Sequence, residues 1–187
     1  MLNYNPAIKE NKTYTDLTIK IIEPIMKINI RSKKKKFFSN VDKILKLIFP
    51  TDPNTSSDSE KLTSFWLSPD EWMVVSNNII DSESKIYELE EVLFNNISKT
   101  KLGAVTNLTD QFAMINLEGS KVFELLSTGS PFNFINFKDK KGSVTQTILN
   151  HIDVIIYHKE INNIHLFVRR SFSHHLWNWI NDSASRL

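Results

Sequence analysis

The sequence predicts an α+β protein built from two units of the βαββ type, and three observations carry that reading. The stretch from Val105 to Pro131 changes period in its middle. Phe112, Met114, Ile115 and Leu117 make a mostly apolar strand, the pattern expected where both faces are covered. After Glu118-Gly119, Val122, Leu125 and Leu126 fall at helical spacing, and Gly129 stands where a helix C-terminus favours glycine. Next, Thr63 to Leu67 and Trp72 to Val75 are two apolar runs around Ser68-Pro69-Asp70-Glu71, with proline where a type I turn favours it. Finally, each half of the chain runs strand, helix, proline-containing loop, hairpin, helix. There is little sequence identity between the halves, so the likeness is one of order.

Composition narrows the function classes. The 187 residues suffice for one large domain or two small ones sharing a core. The 23 basic residues nearly balance the 21 acidic ones, so no global field draws in nucleic acid. Cysteine is absent, which removes disulfides, thiolate metal sites and a cysteine nucleophile. No uncharged apolar run approaches the roughly 18 residues of a membrane span. The first twelve residues lack the apolar core of a secretory signal, so the expected location is cytoplasmic and away from membranes.

Taken in order, Met1 to Asp16 reads as a loose polar arm, and residues 17–187 as a single domain of two half-units, 17–109 and 110–182. Leu17, Ile19 and Ile21 alternate as a strand; Glu23-Pro24 interrupts, and Met26, Ile28 and Ile30 continue in a second strand. Arg31 to Lys36 is a basic run, read as a solvated loop rather than a nucleic-acid contact because no aromatic residue is interleaved with it. Ser39 or Asn40 caps a helix with Val41, Ile44, Leu45 and Ile48 on one stripe, closed by Phe49-Pro50. Thr51 to Glu60 is a polar loop leading to the hairpin. Ser82 or Ser84 opens a second helix with Ile86, Leu89, Val92 or Leu93, and Ile97 inward, and a solvated face of glutamates. With a strand from Gly103 to Thr109, the first half runs β–α–β–β–α–β, the split arrangement of a ferredoxin-like unit. The second half has strands Gln111 to Leu117, Val144 to Leu149, Ile152 to His158 and Ile164 to Val168, and a helix Ser120 to Ser127. Ser171 caps the last helix, with Phe172, Leu176, Trp179 and Ile180 on its buried stripe.

The spacing of reactive side chains assembles no catalytic constellation. His151, His158 and His165 are seven apart along strands, so an odd spacing scatters them over both faces. His174-His175 point about 100° apart on a helix, unlike a metal-binding pair one turn apart. No serine sits in a strand–turn–helix elbow, and four glycines leave no phosphate cradle. Two side chains at the last helix stand out. Trp177 lies about 100° around from Leu176, either as a lid over loop residues or as a partner contact. Arg170 sits at a helix start, where the dipole disfavours a cation, and so calls for an acidic or carbonyl partner.

Five stretches carry a resemblance. "NLTDQFAMINLEGSKVFELL" resembles the segment "D-L/V-S … L-x-G-x-x-A … L-L" shared by aminomethyltransferases and the gamma subunit of heterotetrameric sarcosine oxidase. "FWLSPDEWMVV" resembles the gamma family's "W-L-G-P-D-E-W-L-L-V", with Ser68 in place of glycine. "HLFVRRSFSHHLWNWI" is similar to "D-L-Y-V-P-R-S-F-x-x-x-L-W-x-W-L", with Arg169 in place of proline. "TGSPFNF" and "GSVTQTILNHIDVIIYH" match "K-G-C-P-L-D-L" and "G-x-x-x-Q-T-x-L-x-x-x-x-V-L-L-x-R". The resemblance runs from about Leu17 to Ile180 and implies two interlocked ferredoxin-like units with the fold of the aminomethyltransferase folate-binding domain. It implies a complex that oxidises sarcosine to glycine through flavin, passing the one-carbon unit to tetrahydrofolate. The flavins (FAD and FMN), NAD and tetrahydrofolate would sit on alpha and beta subunits and zinc on delta. Gamma would bind no cofactor and dock on its partners, with Arg169, Arg170 and Trp177 as the candidate interface. The alternative is a free-standing folate-binding protein working through Asp153, because "HIDVIIYHKEINNIHLFV" resembles the aminomethyltransferase "D-D-L-I-V-Y … V-V-N-A-S-N". There Ile152 replaces the first acid, Arg169-Arg170-Ser171 the asparagine pattern and Asn107 an upstream acid, which implies a retained fold and a lost site.

Overall fold

From Asn5 the chain begins one unit, builds another over Pro24–Asp110, and returns at Gln111 to complete the one it left. A computed structural model describes residues 5–78, 88–97 and 100–187. Its two units are Pro24–Asp110, and Asn5–Glu23 together with Gln111–Leu187. In chain order the strands are β1 (Lys12–Tyr14), β2 (Leu17–Ile21), β3 (Lys27–Arg31), β4 (Ser56–Asp58), β5 (Leu62–Ser68) and β6 (Glu71–Ser76). They continue with β7 (Ala104–Asn107), β8 (Phe112–Glu118), β9 (Val144–Leu149), β10 (Ile152–Glu160) and β11 (Asn163–Arg169). The helices are α1 (Lys35–Leu45), α2 (Glu88–Ile97), α3 (Val122–Gly129) and α4 (Ser173–Ala184). None among the described residues is long and apolar enough to cross a membrane.

Each unit is one antiparallel sheet, ordered β4-β5-β6-β3-β7 in the first and β1-β2-β8-β11-β10-β9 in the second. The orders correspond: a three-strand meander (β4 to β6, or β9 to β11), then the strand that opens the unit (β3, or β8), then a flanking strand. In the first unit that flank is β7, which follows the unit's own helix. In the second it is β2, supplied from the start of the chain. The boundary expected at residues 17–109 therefore moves: Leu17 to Ile21 pairs with β8 through Ile19↔Leu117 and Ile21↔Ile115. Nor is the N-terminal segment a loose arm from residue 5 on. Ile8 is buried in the second unit's core, β1 pairs with β2, and Tyr14 Oη donates to Asn181 Oδ1 at 2.9 Å.

In the first unit, α1 begins before the expected Ser39 or Asn40 cap. Phe37, Val41 and Leu45, one turn apart, form its buried stripe, while Ile48 lies beyond the helix and is 79% exposed. Ser32 opens the turn instead: its Oγ accepts from Lys34 N–H at 3.0 Å and donates to Leu102 O at 2.7 Å. Lys46 closes the helix in the left-handed region, its N–H donating to Asp42 O at 2.8 Å. Part of the basic run is tied to the hairpin turn. Arg31 and Lys33 lie 3.6 Å and 4.0 Å from the Asp70 carboxylate. The Ser68 hydroxyl, 2.9 Å away, together with these cations holds that carboxyl below its ordinary range. Trp66 pairs across the hairpin with Trp72, whose Nε1 donates to Pro50 O at 2.8 Å. Trp72 is buried and Trp66 half-buried. The polar loop expected over residues 51–60 contains β4, which pairs with β5. On α2 the inward residue is Leu93, fully buried, whereas Val92 is exposed. The expected caps Ser82 and Ser84, with Ile86, lie outside the described residues.

In the second unit, α3 and α4 cover one sheet face. Ile115, Leu117, Ile156 and Leu166 from the strands meet Leu125, Leu126, Leu176 and Ile180 from the helices, all fully buried. The last helix corrects its sequence reading. A 3₁₀ turn, Arg170–Phe172, precedes it, and α4 proper starts at Ser173, whose Oγ donates to Arg170 O at 2.7 Å. Ser171 is not the cap. The stripe accordingly runs through Ser173, Leu176, Trp177 and Ile180, so Trp177 enters the core at 5% exposure and Phe172, at 49%, leaves it. Gly129 gives Trp179 its seat, since a Cβ there would stand 2.4 Å from the indole ring.

Candidate functional site

The face of the second sheet opposite α3 and α4 carries an open groove of 570 Å³, and strand register explains how it is built. Asn150 and His151, both at positive φ, make the two-residue turn that pairs Leu149 with Ile152 and aligns Ile148 with Asp153. The β10–β11 register, Val154↔Val168, sets Asp153 opposite Arg169 at the next step, and Arg169 pairs with Phe112. Because side chains alternate along a strand, all four residues point the same way. Ile148, Asp153, Arg169 and Phe112 form one row across β9, β10, β11 and β8. At about 4.8 Å per strand spacing, the row spans ~14 Å. A second row behind it contributes Gln146 and Ile155 to the groove wall.

The centre of the row is charged and its ends are apolar. Asp153 and Arg169 are exposed, and among the described residues neither side chain has a hydrogen-bond or ion-pair partner. Phe112 is half-buried and Ile148 is 36% exposed. Among the described residues no imidazole, amine or thiol lines the groove; its hydroxyl, Thr147 Oγ1, lies 3.3 Å from Ser130 Oγ. Such a surface can recognise an apolar partner bearing matched charges. It places no nucleophile or proton-transfer group beside Asp153.

Two sequence candidates thus meet in one row, and two do not. Arg170 turns to its own chain: its guanidinium donates to Asn5 O and its N–H donates to Gln111 O at 2.8 Å. This is the carbonyl partner its position calls for. Trp177 is a core residue and offers no open ring. Phe112, Ile148, Gln146 and Ile155 were not singled out from the sequence as site residues. Alternation along residues 144–149 and 152–156 was the available signal, but only register joins them to Asp153 and Arg169.

The histidines separate as their spacing requires. His158 faces the helices, fixed by Nδ1 at 3.0 Å and 2.9 Å from the Phe137 and Lys140 carbonyls and stacked on Phe137. His165 lies on the opposite face with its ring edge-on to Tyr157. Burial first, and then the nearby Lys159 cation, push its imidazole down to about 3. No cluster of three or more metal-ligating side chains occurs among the described residues.

The family model described as sarcosine oxidase, gamma subunit family, matches residues 32–186. The chain is similar to a chain of the heterotetrameric sarcosine oxidase from Corynebacterium sp. U-96, a structure determined in complex with pyrrole 2-carboxylate. The TM-score is 0.79 at 17% identity, over 91% of this chain and 84% of that one. It is also similar to the glycine cleavage system aminomethyltransferase T from Bartonella henselae, with a TM-score of 0.62 at 15% identity. That likeness covers 88% of this chain and 45% of the other. At these identities the two structures establish the fold, an α+β arrangement with two antiparallel sheets. No curated protein sequence matches the chain.

Proposed function

The chain belongs to the sarcosine oxidase gamma-subunit family, and from that premise we propose that it is the non-catalytic assembly subunit of a heterotetrameric sarcosine oxidase. Its partners are the alpha, beta and delta subunits, and its compartment is the cytoplasm. The complex demethylates sarcosine oxidatively to glycine and hands the one-carbon unit to tetrahydrofolate. The flavins, NAD and tetrahydrofolate belong to the partner subunits. The observation that carries this reading is the family match over residues 32–186, which takes in both the tryptophan hairpin and the last helix. The groove supports it: paired charges and apolar ends suit protein recognition, and the lining holds no acid–base pair for chemistry.

The folate-binding reading through Asp153 is not favoured. Asp153 is exposed beside a cation, whereas a carboxylate tuned for catalysis calls for burial or a specific partner. The test is affinity capture of the tagged chain from its native host, followed by an absorbance spectrum and titration of the isolated chain with tetrahydrofolate. The expected result is a flavin-coloured complex with large partners, and no folate binding by the chain alone. A colourless, folded chain that binds tetrahydrofolate, and loses it in Asp153→Asn, would overturn the assembly reading.

A further inference from the structure

We propose that the row Ile148–Asp153–Arg169–Phe112 is the seat of a segment of a partner subunit crossing the strands of the second sheet. That segment places a basic side chain over Asp153, an acidic one over Arg169, and apolar side chains over Ile148 and Phe112. The inference rests on the assembly role above and gives it an address.

Three features select this occupant. The two charges are adjacent, opposite in sign and without partners among the described residues. Adjacent groups of opposite sign on a sheet ordinarily satisfy each other. Their exposure means that hydration holds them at present, and a docked partner must replace that water with charges of its own. Their flanks are apolar, with Ile148 on the edge strand and Phe112 two strands beyond Asp153. An apolar–acidic–basic–apolar series read across strands over ~14 Å is met by a polypeptide that crosses them, charged at its centre and apolar at its ends. The groove is also open along its length, whereas small-molecule sites enclose most of their ligand. A free zwitterion would leave Ile148 and Phe112 uncovered.

The chain contains no cysteine, so a single introduced thiol reports its own surroundings. Ile148→Cys places it in the row. Ile161→Cys, at a position 82% exposed on the turn at the far end of β10, serves as the control. Both variants are made in the full chain, assembled with its native partners, and labelled with iodoacetamide. The row thiol is expected to react at least about tenfold more slowly in the complex than in the isolated chain, while the control thiol is unchanged. In parallel, Asp153→Arg and Arg169→Glu are each expected to weaken partner capture at least about tenfold while melting at the wild-type temperature. Wild-type capture with an unprotected row thiol and undiminished capture by both reversals would overturn this docking seat and leave the assembly role standing. Protection of the thiol in the isolated chain at high concentration would assign the row to a second copy instead, and so would also overturn it. A wild-type chain that captures no partner would remove the assembly role, and this inference with it.

Discussion

The same row is built twice, once closed and once open. In the first unit the corresponding positions of β4, β5, β6 and β3 are Asp58, Thr63, Val75 and Lys27, joined by Asp58↔Thr63, Thr63↔Val75 and Lys27↔Val75. Thr63, Val75 and Lys27 are buried. Thr63 Oγ1 donates to Asp58 Oδ1 at 2.6 Å, and Lys27 Nζ donates to the Ile25 and Thr109 carbonyls at 3.1 and 3.3 Å. In the second unit Ile148, Asp153, Arg169 and Phe112 keep their places in the sheet, but the charges reach solvent and find no partner among the described residues. A polar group withdrawn from water must be satisfied internally, and the closed row meets that demand. The open row does not need to, which frees its charges for recognition. One topology thus satisfies its polar groups internally at one copy of the row and leaves them to solvent at the other.

Perturbations of decreasing size sharpen or break that contrast. The largest should come from the floor beneath the open row: Trp177→Ala removes a core side chain from α4 and should cost about 3–5 kcal/mol in denaturant unfolding. Such a loss would show that the second unit is firmly packed on its helical face and differs from the first only on the other. In the closed row, Lys27→Ala removes a buried ammonium and its hydrogen bonds to two carbonyls. We expect a cost of roughly 2–4 kcal/mol. A cost no larger than that of Arg169→Ala would break the contrast.

His165 should add a pH-dependent effect that is near zero at neutral pH and grows only on acidification. Its pKa is depressed in the folded state to about 3 and rises to its ordinary 6.5 on unfolding. The unfolded chain therefore binds more protons between those values, and stability falls as pH drops from 6.5 towards 3. Above pH 6.5 the group is neutral in both states and contributes no slope. His165→Phe should flatten this part of the stability profile, measured by denaturant midpoints at stepped pH. An unchanged profile would mean that another group carries it. The smallest effect on folding should come from Asp153→Asn and Arg169→Ala, each within about 0.5 kcal/mol of wild type in thermal unfolding. A larger loss would mean that the open row is a structural element and not a reserved surface.

Local signals were legible in the sequence, and the long-range ones were not. The residue 66–72 hairpin, the switch from β8 to α3, and the strands of the second meander all show in period and turn chemistry, because neighbouring residues encode them. The pairing of Leu17–Ile21 with β8 joins positions about a hundred residues apart, and alternation names no partner for a strand. Helix phase was the other weakness. The last helix starts at Ser173, after a 3₁₀ turn that sequence period does not reveal, and a stripe begun at Phe172 assigns Trp177 to the flank. Asp153 and Arg169 each stood out in the sequence, for unrelated reasons. Their adjacency is a product of register, so the site they form could not be seen before the sheet was assembled.

The most direct test of the assembly role is to prepare the oxidase from its native host with and without this chain. Assembled flavoprotein is then weighed by native mass spectrometry, and sarcosine-dependent oxygen uptake is followed. Without the chain, the assembled complex should fall sharply in amount, while any remainder turns over sarcosine with an unaltered KM. A complex that accumulates and turns over normally in its absence would contradict the account.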